Sequence, residues 1–317
     1  MRRLLLPLLS VLALGAGVAV VPGADAGSAP AWQRYPRPAV TGKQLADWDL
    51  SFSDTYAGRV TATPQQWLAR QALVDELKSL GYVVAVESYL GALEAVTATK
   101  RGSRKPDEAI VMGGHFDTLP QSIYGTYDNG SGTAMVMGLA RSFAKVTTQR
   151  TMVFAFYNGE EEGALASDQM AQAYKDAKKR VRAYLGFDMV GIAWPVGGTA
   201  TDKNCLCLWR GSRDEAVDGL LAEVNHRFLR FPSGRRQVSI EGKNVRNSDE
   251  ASWASAGFRT VRWAGLRKAD DYPQYHQPLD NPDTIDTVAG GRRFFEAGLR
   301  NTLLSAYYTA AAFDTGR

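Results

Sequence analysis

Only three histidines occur in the 317 residues, and two of them sit among acids. His115 lies in Gly113-Gly114-His115-Phe116-Asp117, and His276 in Tyr275-His276-Gln277-Pro278. In an extended segment Asp117 falls on the same side as His115, where its carboxylate can accept from the imidazole's far nitrogen and fix the tautomer. Asp128 occurs in the turn-prone string Tyr127-Asp128-Asn129-Gly130-Ser131-Gly132. Glu160, Glu161 and Glu162 follow an apolar run ending at Tyr157, and Asp188 follows another ending at Phe187. Singly, each has an ordinary structural explanation: acids at a helix start complement its dipole, and Asp-Asn-Gly makes turns. Jointly they do not, because imidazole and carboxylate return at the ends of successive predicted strands. Such a set without thiolate suits zinc, with manganese or cobalt as substitutes.

Those strands are legible from their patterns. Residues 82–88 and 93–99 read as half-buried strands, and 109–113 as a strand end running into His115. Residues 151–157 form a near-continuous apolar run, which marks a strand covered on both faces, and 183–187 another. Helical spacing covers 64–80, where Trp67, Leu68, Leu73, Leu77 and Leu80 recur and Gly81 stops the helix. Further helices are expected over 133–144, 164–179, 214–227 and 292–313. Alternating strands and helices predict a single-domain α/β three-layer sandwich around a mixed, mainly parallel central sheet. In such sheets sites form at the carboxyl ends of the strands, where these acids and histidines fall.

The remaining composition is ordinary. Hydrophobic residues make up 45% and charged residues 22%, which excludes a disordered chain. The net charge of +4 is weak evidence for an acidic partner. Basic groups at Lys178, Lys179, Arg180 and Arg182, and at Arg227, Arg230, Arg235 and Arg236, lack interleaved aromatics and read as solvated faces, so no nucleic acid is expected. Arg2 and Arg3 precede an apolar run from Leu4 to Val21, and Ala24-Asp25-Ala26 has the small-x-small form of a cleavage site. Residues 1–26 therefore read as a secretory signal, with an uncleaved membrane anchor as the alternative, since about 18 apolar residues approach spanning length. Residues 27–40 read as a flexible lead-in and 41–317 as the catalytic domain; the expected product is secreted, monomeric and free of the membrane. Cys205 and Cys207, with one residue between them, make a strained ring and are expected as unpaired thiols.

The ordered strings His-Phe-Asp, Asp-Asn-Gly-Ser-Gly, Gly-Glu-Glu-Glu-Gly-Ala-Leu-Ala-Ser, Phe-Asp-Met-Val-Gly and Tyr-His-Gln-Pro-Leu-Asp closely resemble the secreted bacterial di-zinc aminopeptidases of metallopeptidase family 28. The resemblance runs from about residue 45 to the C-terminus. It implies two zinc ions: His115 and Asp188 on one, Glu161 and His276 on the other, Asp128 bridging both. It also implies Glu160 as general base, Asp117 as the partner of His115, a cis bond after Asp128, and peptide substrates with free amino termini. Gly163 and Ser167 set the register of the acid triplet and leave Glu162 at a variable position; Ala164 and Ala166 depart from the family's usual Leu and Gly. Tyr275 is a candidate oxyanion donor, with packing as its alternative, and Arg246 a candidate for the peptide backbone, with a surface role as its alternative.

Related deacylases and carboxypeptidases insert a lid domain before the last histidine, and the 87 residues between Asp188 and His276 leave little room for one. A glutaminyl cyclase on the same fold, using one zinc, is the alternative reaction. A metal-free binding protein is the alternative without catalysis.

Overall fold

The computed structural model describes residues 30–192, 206–210, 219–224, 238–241, 248–265 and 272–316. Among them eight strands form one sheet: β1 (Val83–Ser88), β2 (Glu94–Lys100), β3 (Lys105–His115), β4 (Arg150–Tyr157), β5 (Arg180–Phe187), β6 (Leu206–Arg210), β7 (Val238–Glu241) and β8 (Thr260–Ala264). Their spatial order is β1-β2-β4-β3-β5-β8-β6-β7. The central four, β4-β3-β5-β8, are parallel. The β1-β2, β2-β4 and β6-β8 pairs are antiparallel, and β6-β7 is parallel. The helices are α1 (Gly42–Thr55), α2 (Pro64–Ser79), α3 (Gly132–Phe143), α4 (Leu165–Asp176), α5 (219–224), α6 (Asp249–Ser255), α7 (Ile285–Val288) and α8 (Arg292–Asp314).

Side-chain alternation along the central strands divides the core into two layers. Ile110 and Met112 of β3, Met152, Phe154 and Phe156 of β4, and Leu185 and Phe187 of β5 join one cluster with α1, α2, α3 and α8. The intervening Val111, Val153, Ala155, Tyr157 and Tyr184 join a second with Ala166 and Met170 of α4 and Trp253 of α6. Trp253 stacks on Tyr184 with 4.9 Å between ring centroids. This is the expected three-layer α/β sandwich. Chain direction also selects the site: α3 carries the chain from β3 to β4 on one side of β3, and α4 carries it across to β5 on the other. The carboxyl end of β3 is thus the switch point where a crevice opens.

Several elements differ from what periodicity predicts. Trp67 and Leu68 are 47% and 56% exposed, and α2 buries Gln66, Ala69, Leu73, Val74 and Leu77 instead. Helix α4 stops at Asp176, three residues short, and Lys178 turns the chain with φ +51°. Ala31–Arg34, expected inside a loose lead-in, is a 3-10 turn whose Trp32 is buried with its ring edge-on to Tyr308. Helix α1 was not expected, although Thr41 and Gln44 form a reciprocal capping box at its start. The expected leader over 1–26, Cys205, Arg246 and most of the expected 214–227 helix lie outside the described residues. No helix among the described residues is long and apolar enough to cross a membrane.

The carboxyl end of α8 is fastened to the start of β4. Asp314 accepts from the amides of Gln149 (2.9 Å) and Arg150 (2.6 Å) and from the Tyr35 hydroxyl. Arg150 in turn donates to the Phe313 carbonyl (2.9 Å) and to Glu108 (2.7 Å). Asp314→Ala should lower unfolding free energy by about 2–4 kcal/mol, because it strands buried donors; an unchanged denaturation midpoint would contradict this role.

Candidate metal centre

Each sequence-predicted ligand stands where its element ends. His115 is the last residue of β3, Glu160 and Glu161 follow β4 by three and four residues, and Asp188 directly follows β5. Asp128 sits in the turn Thr126–Ser131 before α3, where Asp128 and Asn129 leave helical geometry (φ −110° and −126°), and the Asp128-Asn129 bond is cis, as the resemblance implied. His276 adopts a left-handed conformation, φ +56°, which turns its ring back toward Asp128.

Asp128 faces both histidines. Its Oδ1 is 3.4 Å from His115 Nε2, and its Oδ2 is 3.3 Å from His276 Nε2. Asp188 Oδ1 lies 3.9 Å from His115 Nε2, and Glu161 Oε2 lies 3.2 Å from His276 Nε2. Two atoms bound to one tetrahedral zinc at about 2.1 Å are about 3.4 Å apart, so these spacings fit ligands gathered round a common centre. His115 Nε2 and Asp188 Oδ1, which face one another across this space, are buried and make no hydrogen bond, which is a second sign of fit. Glu160 Oε2 stands 3.7 Å from His115 Nε2, close enough to group with His115 and Asp188. Asp117 Oδ1 is 3.4 Å from His115 Nδ1, on the far side of the ring, as expected. Glu162 is exposed. Tyr275 lines the same cleft and stacks on His276 with 3.7 Å between ring centroids.

The backbone beneath these side chains is densely tied. Asn129 Nδ2 donates to the Phe187 carbonyl (2.9 Å) and its Oδ1 accepts from the Met189 amide (3.2 Å), so one side chain clamps both sides of Asp188. Gly114 and Gly132 admit the same carbonyl: a Cβ on either would lie 2.5 or 2.4 Å from Phe187 O. Thr133 donates to the His115 carbonyl (2.9 Å). Thr61 donates to Asp117 Oδ2 (3.2 Å) and accepts from the Gly159 amide (3.0 Å), joining the β3 and β4 ends.

Three contributors carry no motif signal that assigned them a role. Asp280, fully buried, accepts from the Tyr127 amide (2.8 Å) through one oxygen and the Asp128 amide (3.0 Å) through the other, while the Tyr272 hydroxyl donates to it (2.9 Å). It closes the Tyr-His-Gln-Pro-Leu-Asp string, and its spacing from His276 was the available clue. Arg59, also fully buried, donates to the carbonyls of Phe116 (2.6 Å), Tyr124 (2.6 Å) and Gly125 (2.9 Å), bracing the segments on either side of Asp117 and Asp128. Arg262 of β8 donates to Glu250 (3.2 Å) and brings a cation to 3.9 Å from Asp188 Oδ2.

So many buried acids hold one another in unusual protonation states. Burial pushes Glu160 well above the carboxylate range. Burial, with the charge of Asp128, pushes Glu161 up to about 7 against the pull of His276. Burial likewise raises Asp249 and Asp280 to about 7. For Asp128 burial is overridden by both histidines, which hold it well below its ordinary value. Burial disfavours charge on the histidines, but surrounding carboxylates override it, raising His115 strongly and His276 to about 10.

Two outcomes are expected. Asp280→Asn replaces one acceptor with a donor facing a backbone N–H, and should weaken zinc binding about 10–100-fold by chelator competition while circular dichroism stays native; unaltered affinity would remove Asp280 from the metal centre's support. Between about pH 4 and 7 the folded metal-free chain holds protons on Glu161, Asp249 and Asp280 that the unfolded chain releases. Stability conferred by those protonated groups is therefore lost as pH rises, and that from His276 fades above about pH 6.5; Asp128 works the other way. The metal-free thermal midpoint should be lower at pH 8 than at pH 5.5, with zinc removing most of the slope. A midpoint that climbs with pH would refute this.

The peptidase family M28 model matches residues 95–294. A "probable zinc metalloprotease" of Pyrenophora teres f. teres (strain 0-1) is 29% identical over 232 residues, covering 69% of this chain and 46% of the fungal protein. The chain spans about half the length of the curated relatives it matches. Among solved structures, the LapA aminopeptidase of Legionella pneumophila has a TM-score of 0.68 at 20% identity, covering 90% of this chain and 73% of its own. A glutaminyl cyclase of Fimbriiglobus ruber has a TM-score of 0.62 at 17% identity, covering 85% of this chain and 96% of its own. At such identities the likeness is one of fold. Because the family match takes in more than half of the chain and every acid and histidine gathered round Asp128, the chain belongs to peptidase family M28.

Proposed function

We propose that the protein is a zinc aminopeptidase that removes N-terminal residues from peptides bearing a free amino group. The observation that carries this reading is Asp128, which offers one oxygen to each histidine at 3.4 and 3.3 Å and so suits a carboxylate shared by two ions. In the proposed arrangement His115 and Asp188 would hold one zinc and Glu161 and His276 the other, with Asp128 available to both. When bound, such a pair lowers the pKa of a water toward neutrality and polarises a carbonyl oxygen.

The chain's own residues supply the proton path. The Glu160 side chain is 12% exposed, and its burial keeps its affinity for a proton high, as a base working near neutral pH requires. It accepts the proton of the attacking water. As the water oxygen bonds to the scissile carbon and the C–N bond breaks, Glu160 delivers that proton to the departing amine. Asp117 stands behind His115, its Oδ1 3.4 Å from the imidazole Nδ1, where it favours the tautomer that leaves Nε2 free for a metal. The Tyr275 hydroxyl, whose pKa burial raises further above neutrality, is a donor for the oxygen that gains charge. The substrate's ammonium finds a cleft lined by Asp128, Glu160, Glu161 and Asp188, and this surplus of acid favours exopeptidase action. Secretion is part of the same reading and rests on the Met1–Ala26 leader pattern.

Glu160→Gln should cut kcat on an aminoacyl anilide by about 10²–10⁴-fold while zinc stays near two per chain. Glu161→Gln should instead lose metal. N-acetylation of the substrate should abolish cleavage, and a chelator should do so reversibly. One zinc per chain with pyroglutamate released from Gln-peptides would turn the assignment to a glutaminyl cyclase. Hydrolysis that survives verified metal removal would sink it.

A further inference from the structure

The cleft over the metal centre, about 500 Å³, has a wall that the proposed proton path does not use. Ser248, Ala251, Ser252 and Ser255 line it at spacings of three, one and three residues, which is one face of α6 and the residue that caps it. Opposite stand Ala164, Leu165 and Asp168 at the start of α4. The two sides are fastened together: Ser167 donates to the Ser252 hydroxyl (3.1 Å), and Ser252 donates to the Ala164 carbonyl (3.3 Å). Small side chains on α6 leave room between the helices. Leu165 and Asp168, three residues apart, share a face of α4, are both exposed and both line the cleft.

The recess has a definite chemical character. Methyl groups of Ala164, Leu165 and Ala251 can follow an aliphatic stem, and the serine hydroxyls can meet a polar end. Among the described lining residues, Asp168 is the only charged group outside the metal centre's own acids and histidine. A long apolar stem ending in a cation fits that combination, since it can bury its methylenes and keep its charge at the rim. An acidic side chain would meet Asp168 and the nearby carboxylates as like charges.

The wall is also tied to the proposed base. The amides of Gly163 and Ala164 both donate to the Glu160 carbonyl at 2.8 Å, so the recess begins one tight turn from that residue. A base that passes its proton to the departing nitrogen stands beside the residue that owns that nitrogen. We infer that this recess receives the side chain of the substrate's second residue, and that Asp168 selects lysine or arginine there. The orientation rests on the aminopeptidase reading; the charge preference rests on the recess itself. An acid in the first turn of α4 also complements the helix dipole, but that role alone would leave substrate preference untouched.

Norleucine has the apolar stem of lysine without the charge, so Leu-Lys-amide and Leu-norleucine-amide isolate the contribution of Asp168. On the zinc-loaded full chain, kcat/KM should favour the lysine compound about fivefold at low salt, as expected of a partly exposed ion pair. The ratio should shrink in 0.5 M salt and fall to about one in Asp168→Asn. Asp168→Lys should reverse the preference toward Leu-Glu-amide. Calorimetric Kd values for the two ligands on zinc-loaded Glu160→Gln read the same recess without turnover. Selective binding by a chain that hydrolyses neither compound would therefore uphold the recess and reject the aminopeptidase reading. Equal affinity and equal turnover, a lysine preference that survives Asp168→Asn, or a preference for lysine only as the first residue would overturn the inference.

Discussion

A group of carboxylates has to stay together in a space that excludes water, and everything around the site answers that requirement. Asp117, Asp128, Glu160, Glu161, Asp188, Asp249 and Asp280 converge at the carboxyl ends of β3, β4 and β5 with little solvent to screen them. Left alone, such a group would separate or take up protons. What keeps it assembled is backbone: the Thr126–Ser131 turn, held from below by Asp280 and from the side by Arg59, and stitched to Asp188 by Asn129. Two buried arginines, Arg59 and Arg262, place fixed positive charge behind the acids. Neither lies among the atoms gathered round Asp128, so each offsets repulsion without occupying the centre.

The sheet makes this affordable because its parallel core is covered on both faces. Alternation on β3, β4 and β5 sends apolar side chains into two separate layers, which fixes the register of the three strands against one another. A one-residue slip in any of them would move His115 or the acids after β4 and β5 by more than 3 Å. Core packing and the spacing of the ligand atoms are in this sense one constraint.

The parts of this arrangement visible in the sequence were those whose pattern is local. The apolar run of β4, the acids that follow it and the histidine after Gly113-Gly114 could all be read directly. Elements that place polar groups inside could not. Helix α1 buries Asp49 and Ser53 beside Leu45 and Phe52, which breaks the apolar period that would have revealed it. Strand β8 carries Arg262 into the interior, where only Glu250 and Asp188, far away in sequence, explain it. Arg59 had no neighbour to distinguish it from a surface arginine. The opposite error arose in α2, where Trp67 and Leu68 are apolar yet lie on the outer face.

The short segment from Tyr272 to Asp280 does two things at once. It carries His276, which approaches one half of the centre, and it ends in the carboxylate that orients the Asp128 peptide, which serves both halves. The position of His276 and the setting of the Asp128 peptide are consequently not independent. Nine residues of one loop thus set both the imidazole and the peptide it faces, so a shift of that loop is felt on both sides of a 3.3 Å gap.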